Sequence, residues 1–191
     1  MPGPASPPCD PADTRPDRSA IQLWTSAQGA FGLRDYAAAA DLLERLIADH
    51  DGEAPLNMAT VRLLHGVTLL RLRRTAEALP HLHLAAELAP HNARAHQKLG
   101  AGIARMGRED EALPHLERAA TLAPDNAEYQ WRLGEQYRRL GRKTEAKAAF
   151  ERSLTLEPGY GPATDGLAAL ARRPGSWLAR LAWSVVDKGQ D

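Results

Sequence analysis

The stretch LAPDNAEYQWRLG, residues 122 to 134, follows LAPHNARAHQKLG, residues 88 to 100, at an offset of 34 residues, and the two agree at seven of thirteen positions. The agreement extends along the chain. Pro90, Pro124 and Pro158 share the spacing, as do Gly66, Gly100 and Gly134; Ala78, Ala112 and Ala146; Leu82, Leu116 and Phe150; and Leu88, Leu122 and Leu156. A fixed period of this length signals a solenoid, in which each unit cannot cover its apolar face alone and stacks on its neighbours. Gly100 and Gly134, with Ala112 and Ala146 opposite, are expected to let two helices approach closely.

Each period carries two helical patterns. Leu133, Tyr137 and Leu140 recur at helical spacing in residues 127 to 140, and Ala146, Ala149, Phe150, Ser153 and Leu154 do so in residues 143 to 156. Gly107 and Gly141 sit where the first helix must end, so each unit is predicted to be an antiparallel helix pair.

These residues resemble the tetratricopeptide repeat family, whose pattern is W-x2-L-G-x2-Y, then A-x3-F, then P. The unit from Ala127 carries Leu133, Gly134, Tyr137, Ala146, Phe150 and Pro158; the unit from Ala93 carries Leu99, Gly100, Ile103, Ala112, Leu116 and Pro124. The unit from Ala59 has Gly66, Leu69, Ala78, Leu82 and Pro90. The family's tryptophan position holds Arg62, His96 and Gln130, and the leucine before Gly66 is His65. An upstream unit spans residues 20 to 53, with Tyr36, Ala39 and Leu43 in its second helix, joined by a connection about five residues longer than the others. The expected organisation is an all-α solenoid of units 20 to 53, 59 to 92, 93 to 126 and 127 to 160, with a closing helix over 161 to 173. The resemblance implies a right-handed superhelix.

In such proteins the first helices line a concave surface that receives extended peptides or partner helices. Projection of the inward positions selects Arg94, Lys98, Ala101, Ala104 and Arg105 in one unit and Glu128, Trp131, Arg132, Glu135, Arg138 and Arg139 in the next. Upstream it selects Ile21, Trp24, Gln28 and Phe31, then Leu63, Leu64, Val67, Leu70 and Arg71. Leu63, Leu64 and Val67 also read as core beneath the long connection. Arg138, Arg139, Arg172 and Arg173, near helix C-termini, also read as solvated partners of the helix dipole. The groove is expected to be apolar at one end and basic at the other. Its complement is a segment with an apolar anchor followed by acidic groups.

A chaperone-type carboxylate clamp is incomplete: Arg94 and Lys98 match two of its basic positions, but Trp24, Gln28 and Leu64 stand where a lysine and asparagines belong. No binding to the chaperone carboxyl-terminal motif is expected.

Composition excludes other classes. There are 24 basic and 24 acidic residues, so the whole chain carries no footprint for nucleic acid or anionic membrane. The single cysteine, Cys9, permits no internal disulfide and no cysteine-based zinc cluster. No G-x-S-x-G, P-loop, G-x-G-x-x-G or H-E-x-x-H motif is present, so no enzyme and no cofactor is expected. His81 and His83, two apart on a helix, point in different directions and cannot share a metal from one face. His81 and His115 occupy equivalent places in adjacent units, where a surface metal pair is the alternative to the favoured reading as solvated positions on second helices, whereas His65 and His96 read as hydrogen-bonded packing residues.

Residues 1 to 19, with six prolines, read as a disordered leader lacking a secretory signal, and no segment reaches the ~18 apolar residues that cross a bilayer. A soluble cytoplasmic protein is the simplest expectation. In residues 174 to 191, Trp177, Leu178, Leu181 and Val185 share one helical stripe after Pro174 and Gly175. That tail is expected to cap the array or to dock on a partner; membrane contact is the weakest alternative, because only Arg180 and Lys188 are basic. The function expected is an interaction module, adaptor or scaffold, binding another protein in its groove. The alternatives are an accessory or chaperone subunit of an enzyme complex and a self-associating homo-oligomeric scaffold.

Overall fold

The computed structural model describes residues 18 to 50 and 56 to 171. Residues 1 to 17 of the expected leader and the tail stripe of Trp177, Leu178, Leu181 and Val185 lie outside the described residues, whereas Arg18 and Ser19, read as leader, begin the first helix. Nine helices and no strand occur among those described, as the 34-residue period predicts. Two compact units divide at Ala89 and Pro90. The first holds α1 (Arg18–Gly32), α2 (Tyr36–His50), α3 (Met58–Arg71) and α4 (Thr75–Leu88). The second holds α5 (Ala93–Arg105), α6 (Glu109–Leu122), α7 (Ala127–Arg139), α8 (Lys143–Leu156) and α9 (Gly161–Ala171). Within each unit every helix packs on the next.

One turn is repeated four times. It joins α1 to α2, α3 to α4, α5 to α6 and α7 to α8, and each copy closes with an amide bonded to the carbonyl five residues back: Asp35 to Ala30, Arg74 to Leu69, Arg108 to Ile103 and Arg142 to Tyr137. This is the six-to-one bond of a helix that ends in a left-handed residue. Glycine supplies that residue at Gly107 (φ 75°) and Gly141 (φ 73°), but Arg73 (φ 62°) and Arg34 (φ 63°) adopt it with a side chain.

The start of the first helix is also repeated. Asn57, Asn92 and Asn126 cap α3, α5 and α7, each side chain accepting from amides two or three residues on. This explains the asparagine that recurs in the two quoted stretches, since the cap satisfies donors that the helix leaves open. After the turn, Arg74, Arg108 and Arg142 each reach three residues ahead to Glu77, Glu111 and Glu145. These pairs are exposed and add little stability.

Between the helices of a pair, the glycines bear out the close approach expected of them. A Cβ on Gly66 would sit 2.6 Å from Leu82, one on Gly100 would sit 2.8 Å from Leu116, and one on Gly134 would sit 2.7 Å from the Phe150 ring. Gly166 of α9 meets that ring from the other side, at 2.5 Å, so Phe150 is held between two glycine faces. Ala146, Phe150 and Ala163 form the core there, with Trp131, Tyr137, Tyr160, Leu167 and Leu170 packed around it. In the first unit the core is Ala20, Ala27, Leu43, Leu46, Ile47 and Val61.

Candidate functional site

The second unit contains an open cleft of ≈ 260 Å³, lined by Ala101, Ala104 and Arg105 of α5, Leu116 of α6, and Trp131, Arg132, Glu135, Gln136 and Arg139 of α7. Besides the tryptophan, its apolar lining is small: two alanines and a leucine. Trp131 is half-buried. Its indole packs edge-on to Tyr160 at 6.1 Å, and the Arg132 guanidinium lies 5.0 Å from the ring centroid. This cation over an aromatic face leaves the guanidinium edge available to further acceptors.

The arginines already hold carboxylates. Arg132 Nε donates to Glu128 at 2.8 Å, and Arg139 Nη1 donates to Glu109 at 3.2 Å. Arg138 pairs with both oxygens of Glu135, at 3.0 and 2.9 Å. Gln136 is buried and donates through Nε2 to the backbone oxygen and to the carboxylate of Glu109, each at 2.7 Å. Because Glu109 begins α6, this fork ties the C-terminal half of α7 to the first turn of α6. Tyr137 adds a second tie, its hydroxyl donating to Glu117 at 2.8 Å. Burial and the Glu117 carboxylate push its pKa up to about 12, so the phenol stays protonated at neutral pH.

Of the residues projected inward, Arg105, Trp131, Arg132 and Glu135 converge on this cleft, together with Ala101, Ala104 and Arg139. Arg94 and Lys98 lie outside its lining, and Arg138 is turned to Glu135. Trp24 belongs to the first unit, packed on the Leu43 core. Phe31 meets Tyr36 edge-on at 5.4 Å, while Gln28 and Arg71 are exposed. Leu63 (8 % exposed) and Val67 (5 %) are buried, and Leu64 packs on the core, so these three take the core reading. The basic end of the surface is also changed, for Arg132, Arg138 and Arg139 are each offset by a glutamate.

Two of the histidines differ from expectation. His81 and His115 are half-buried and paired, not solvated. His81 lies 4.2 Å from His65 by ring centroid and faces Arg62 Nη1 at 3.3 Å; His115 faces His96 at 3.5 Å. Only His83 among these is exposed, beside Glu87. The buried Gln97, in the place where α7 carries Trp131, escaped the sequence reading altogether. Among the described residues no group of three or more metal-binding side chains is gathered, and no helix is long and apolar enough to cross a membrane.

Helix pairs stacked on glycine-mediated contacts, with a cleft on the first helices, define the class of helical-repeat proteins. The chain belongs to the tetratricopeptide repeat family, which matches residues 25–93 and 104–161. Such proteins generally mediate protein–protein interaction and are typically non-catalytic. Among solved structures, YrrB, a TPR protein with an unusual peptide-binding site, is 22 % identical with a TM-score of 0.70, over 80 % of this chain and 76 % of that one. MamA from Desulfovibrio magneticus RS-1 is 18 % identical at a TM-score of 0.67, over 80 % and 93 %. A tetratricopeptide repeat protein from Parabacteroides merdae ATCC 43184 is 20 % identical at 0.71, over 80 % and 59 %. These likenesses are of fold. No curated protein matches the chain.

Proposed function

We propose that the chain is an adaptor that receives a segment of another protein in the cleft between α5, α6 and α7. The observation that carries this is the half-buried Trp131 lining one cleft with the small apolar Ala101, Ala104 and Leu116. An apolar side chain of the partner fills that space, and apolar burial supplies the affinity. Acidic groups beside the anchor meet Arg105, Arg132 and Arg139. A guanidinium has five donors, so Arg132 and Arg139 can take a second carboxylate while keeping Glu128 and Glu109. Register and specificity therefore come from charge, and anchoring comes from the tryptophan. A relative of this fold, YrrB, has a peptide-binding site, which agrees with this reading.

The test is to fill the cleft without touching the Phe150 core. Ala104→Trp in the full chain should keep its helical content and lose the bound protein that the unsubstituted chain retains from its source cells, as quantified by mass spectrometry. Equal recovery by both forms would remove the cleft from the account. Recovery of the chain alone would favour self-association.

A further inference from the structure

The family's tryptophan position is occupied by His96 in the third unit, and the side chain packed against it is His115 of α6. The two Nδ1 atoms are 3.5 Å apart. The rings are tilted by only 20°, with centroids 5.8 Å apart. That separation is close to the nitrogen distance plus the two ring radii, so the Nδ1 atoms point at each other head-on. His96 Nε2 lies 3.2 Å from the Pro90 carbonyl oxygen. A carbonyl can only accept, so Nε2 carries the proton and, in the neutral ring, Nδ1 of His96 presents its lone pair. The proton in the bridge therefore belongs to His115.

We propose that this pair is a two-coordinate site for a monovalent d10 metal ion, copper(I) by chemical class, held between the two Nδ1 atoms. Imidazole nitrogen suits copper, and an ion seated on the line between the two Nδ1 atoms, now 3.5 Å apart, asks for only a small further separation of the rings. The head-on alignment matches a linear ion. A tetrahedral ion such as zinc would need both rings to swing toward a common apex and would need two more ligands; no third metal-binding side chain joins the pair among the described residues. The Pro90 carbonyl already performs the orienting task that a second sphere performs for a metal-bound histidine, by fixing the ring and its tautomer. On binding, the bridging proton leaves His115 Nδ1, the same ring takes one up at Nε2, and both lone pairs go to the ion. No electron is transferred.

The preceding repeat is an internal control. There Arg62 stands where His96 stands, and its Nη1 faces His81 Nδ1 at 3.3 Å. A guanidinium has no lone pair and carries a fixed positive charge, so the same architecture in that repeat excludes a cation.

The experiment uses the full chain, without an affinity tag and with Cys9→Ser to remove the thiol. Under anaerobic conditions the chain competes with bicinchoninate for copper(I), read by the chromophore's absorbance. One equivalent should be bound, and His96→Gln or His115→Gln should weaken the competition by at least about tenfold, whereas His81→Gln should leave it unchanged. Competition no better than that of the His96→Gln/His115→Gln double variant, or equal loss in His81→Gln, would overturn the proposal. A second measurement leaves the histidines intact: silver(I), which does not change oxidation state, is titrated while the imidazole 15N resonances are followed. The Nδ1 signals of His96 and His115 should move together and first; if they stay still, the site does not exist.

Discussion

The α3–α4 pair and the α7–α8 pair are built on one frame and differ in how much of the first helix they bury. Both start at an asparagine cap, both end the first helix in a left-handed residue, and both press a glycine onto a large side chain of the second helix. Yet α3 buries nine of its residues and α7 only three. Where α3 carries Leu63, Leu64 and Val67, the corresponding face of α7 carries Trp131, Arg132 and Glu135 in an open cleft. The repeat fixes helix placement; whether a first helix is buried as core or lines an open cleft is decided by a few inward-projecting positions that the repeat leaves unconstrained.

The largest predicted effect sharpens the difference between the two cores. Phe150 is a rigid ring met by Gly134 on one side and Gly166 on the other, whereas Leu82 meets Gly66 through Cγ and Cδ2 of a branched side chain that has other rotamers. Phe150→Ala should cost ~3–5 kcal/mol. Gly134→Ala, which drives a Cβ into a rigid ring, should destabilise by ~1–3 kcal/mol and by more than Gly66→Ala. Chemical denaturation with hydrogen exchange of α7–α8 and α3–α4 amides would check this, and equal costs at the two glycines would break the comparison.

Next in size is a response to acid confined to the first unit. His65 is buried beside His81 and Arg62, and burial followed by these basic neighbours lowers its pKa to about 4. Above pH ~6.5 the ring is neutral both folded and unfolded. As pH falls from there toward about 4, the unfolded chain takes up a proton that the folded one refuses, so stability falls, by on the order of 2–3 kcal/mol. His65→Leu, the residue found as Leu99 one repeat later, should flatten that slope. Protection of α3 and α4 amides between pH 7 and 4 is the readout; an unchanged slope would mean another group titrates.

Two smaller effects concern helix ends. Asn92→Ala and Asn126→Ala should each cost ~1 kcal/mol, but Arg108→Ala much less, since Arg108 makes no side-chain cap bond. Arg73→Gly should stabilise by ~0.5–1 kcal/mol, because it relieves a side chain from the left-handed region that Gly107 and Gly141 occupy without strain. Thermal unfolding of the single variants would rank them.

The parts of this molecule that were legible in the sequence are those dictated by the repeat. Gly66, Gly100 and Gly134 recur because nothing larger fits, and Pro90, Pro124 and Pro158 mark the ends of units, so the period reveals both without knowledge of any contact. Asn92 and Asn126 recur for a different reason, capping, and their place just before an apolar-periodic run was a signal that the sequence reading passed over. The cleft was only partly legible. Trp131, Arg132 and Glu135 project inward by helical spacing, but which arginine faces which glutamate depends on rotamers, and Gln136 reaches Glu109 across 27 residues of chain. His96 and His115, 19 residues apart, meet for the same non-local reason, and no spacing rule for a single helix could have paired them.

The measurement that tests the central claim most directly is site-specific photocrosslinking of the full chain in its source cells, with the photoreactive residue placed at Ala104 in the cleft or at Thr155 on the exposed face of α8. The account predicts a discrete adduct with another protein from position 104, absent from position 155 and reduced when Arg132 is changed to glutamate. Adducts of the same protein from both positions, or from Thr155 alone, would contradict the assignment of binding to the α5–α7 cleft.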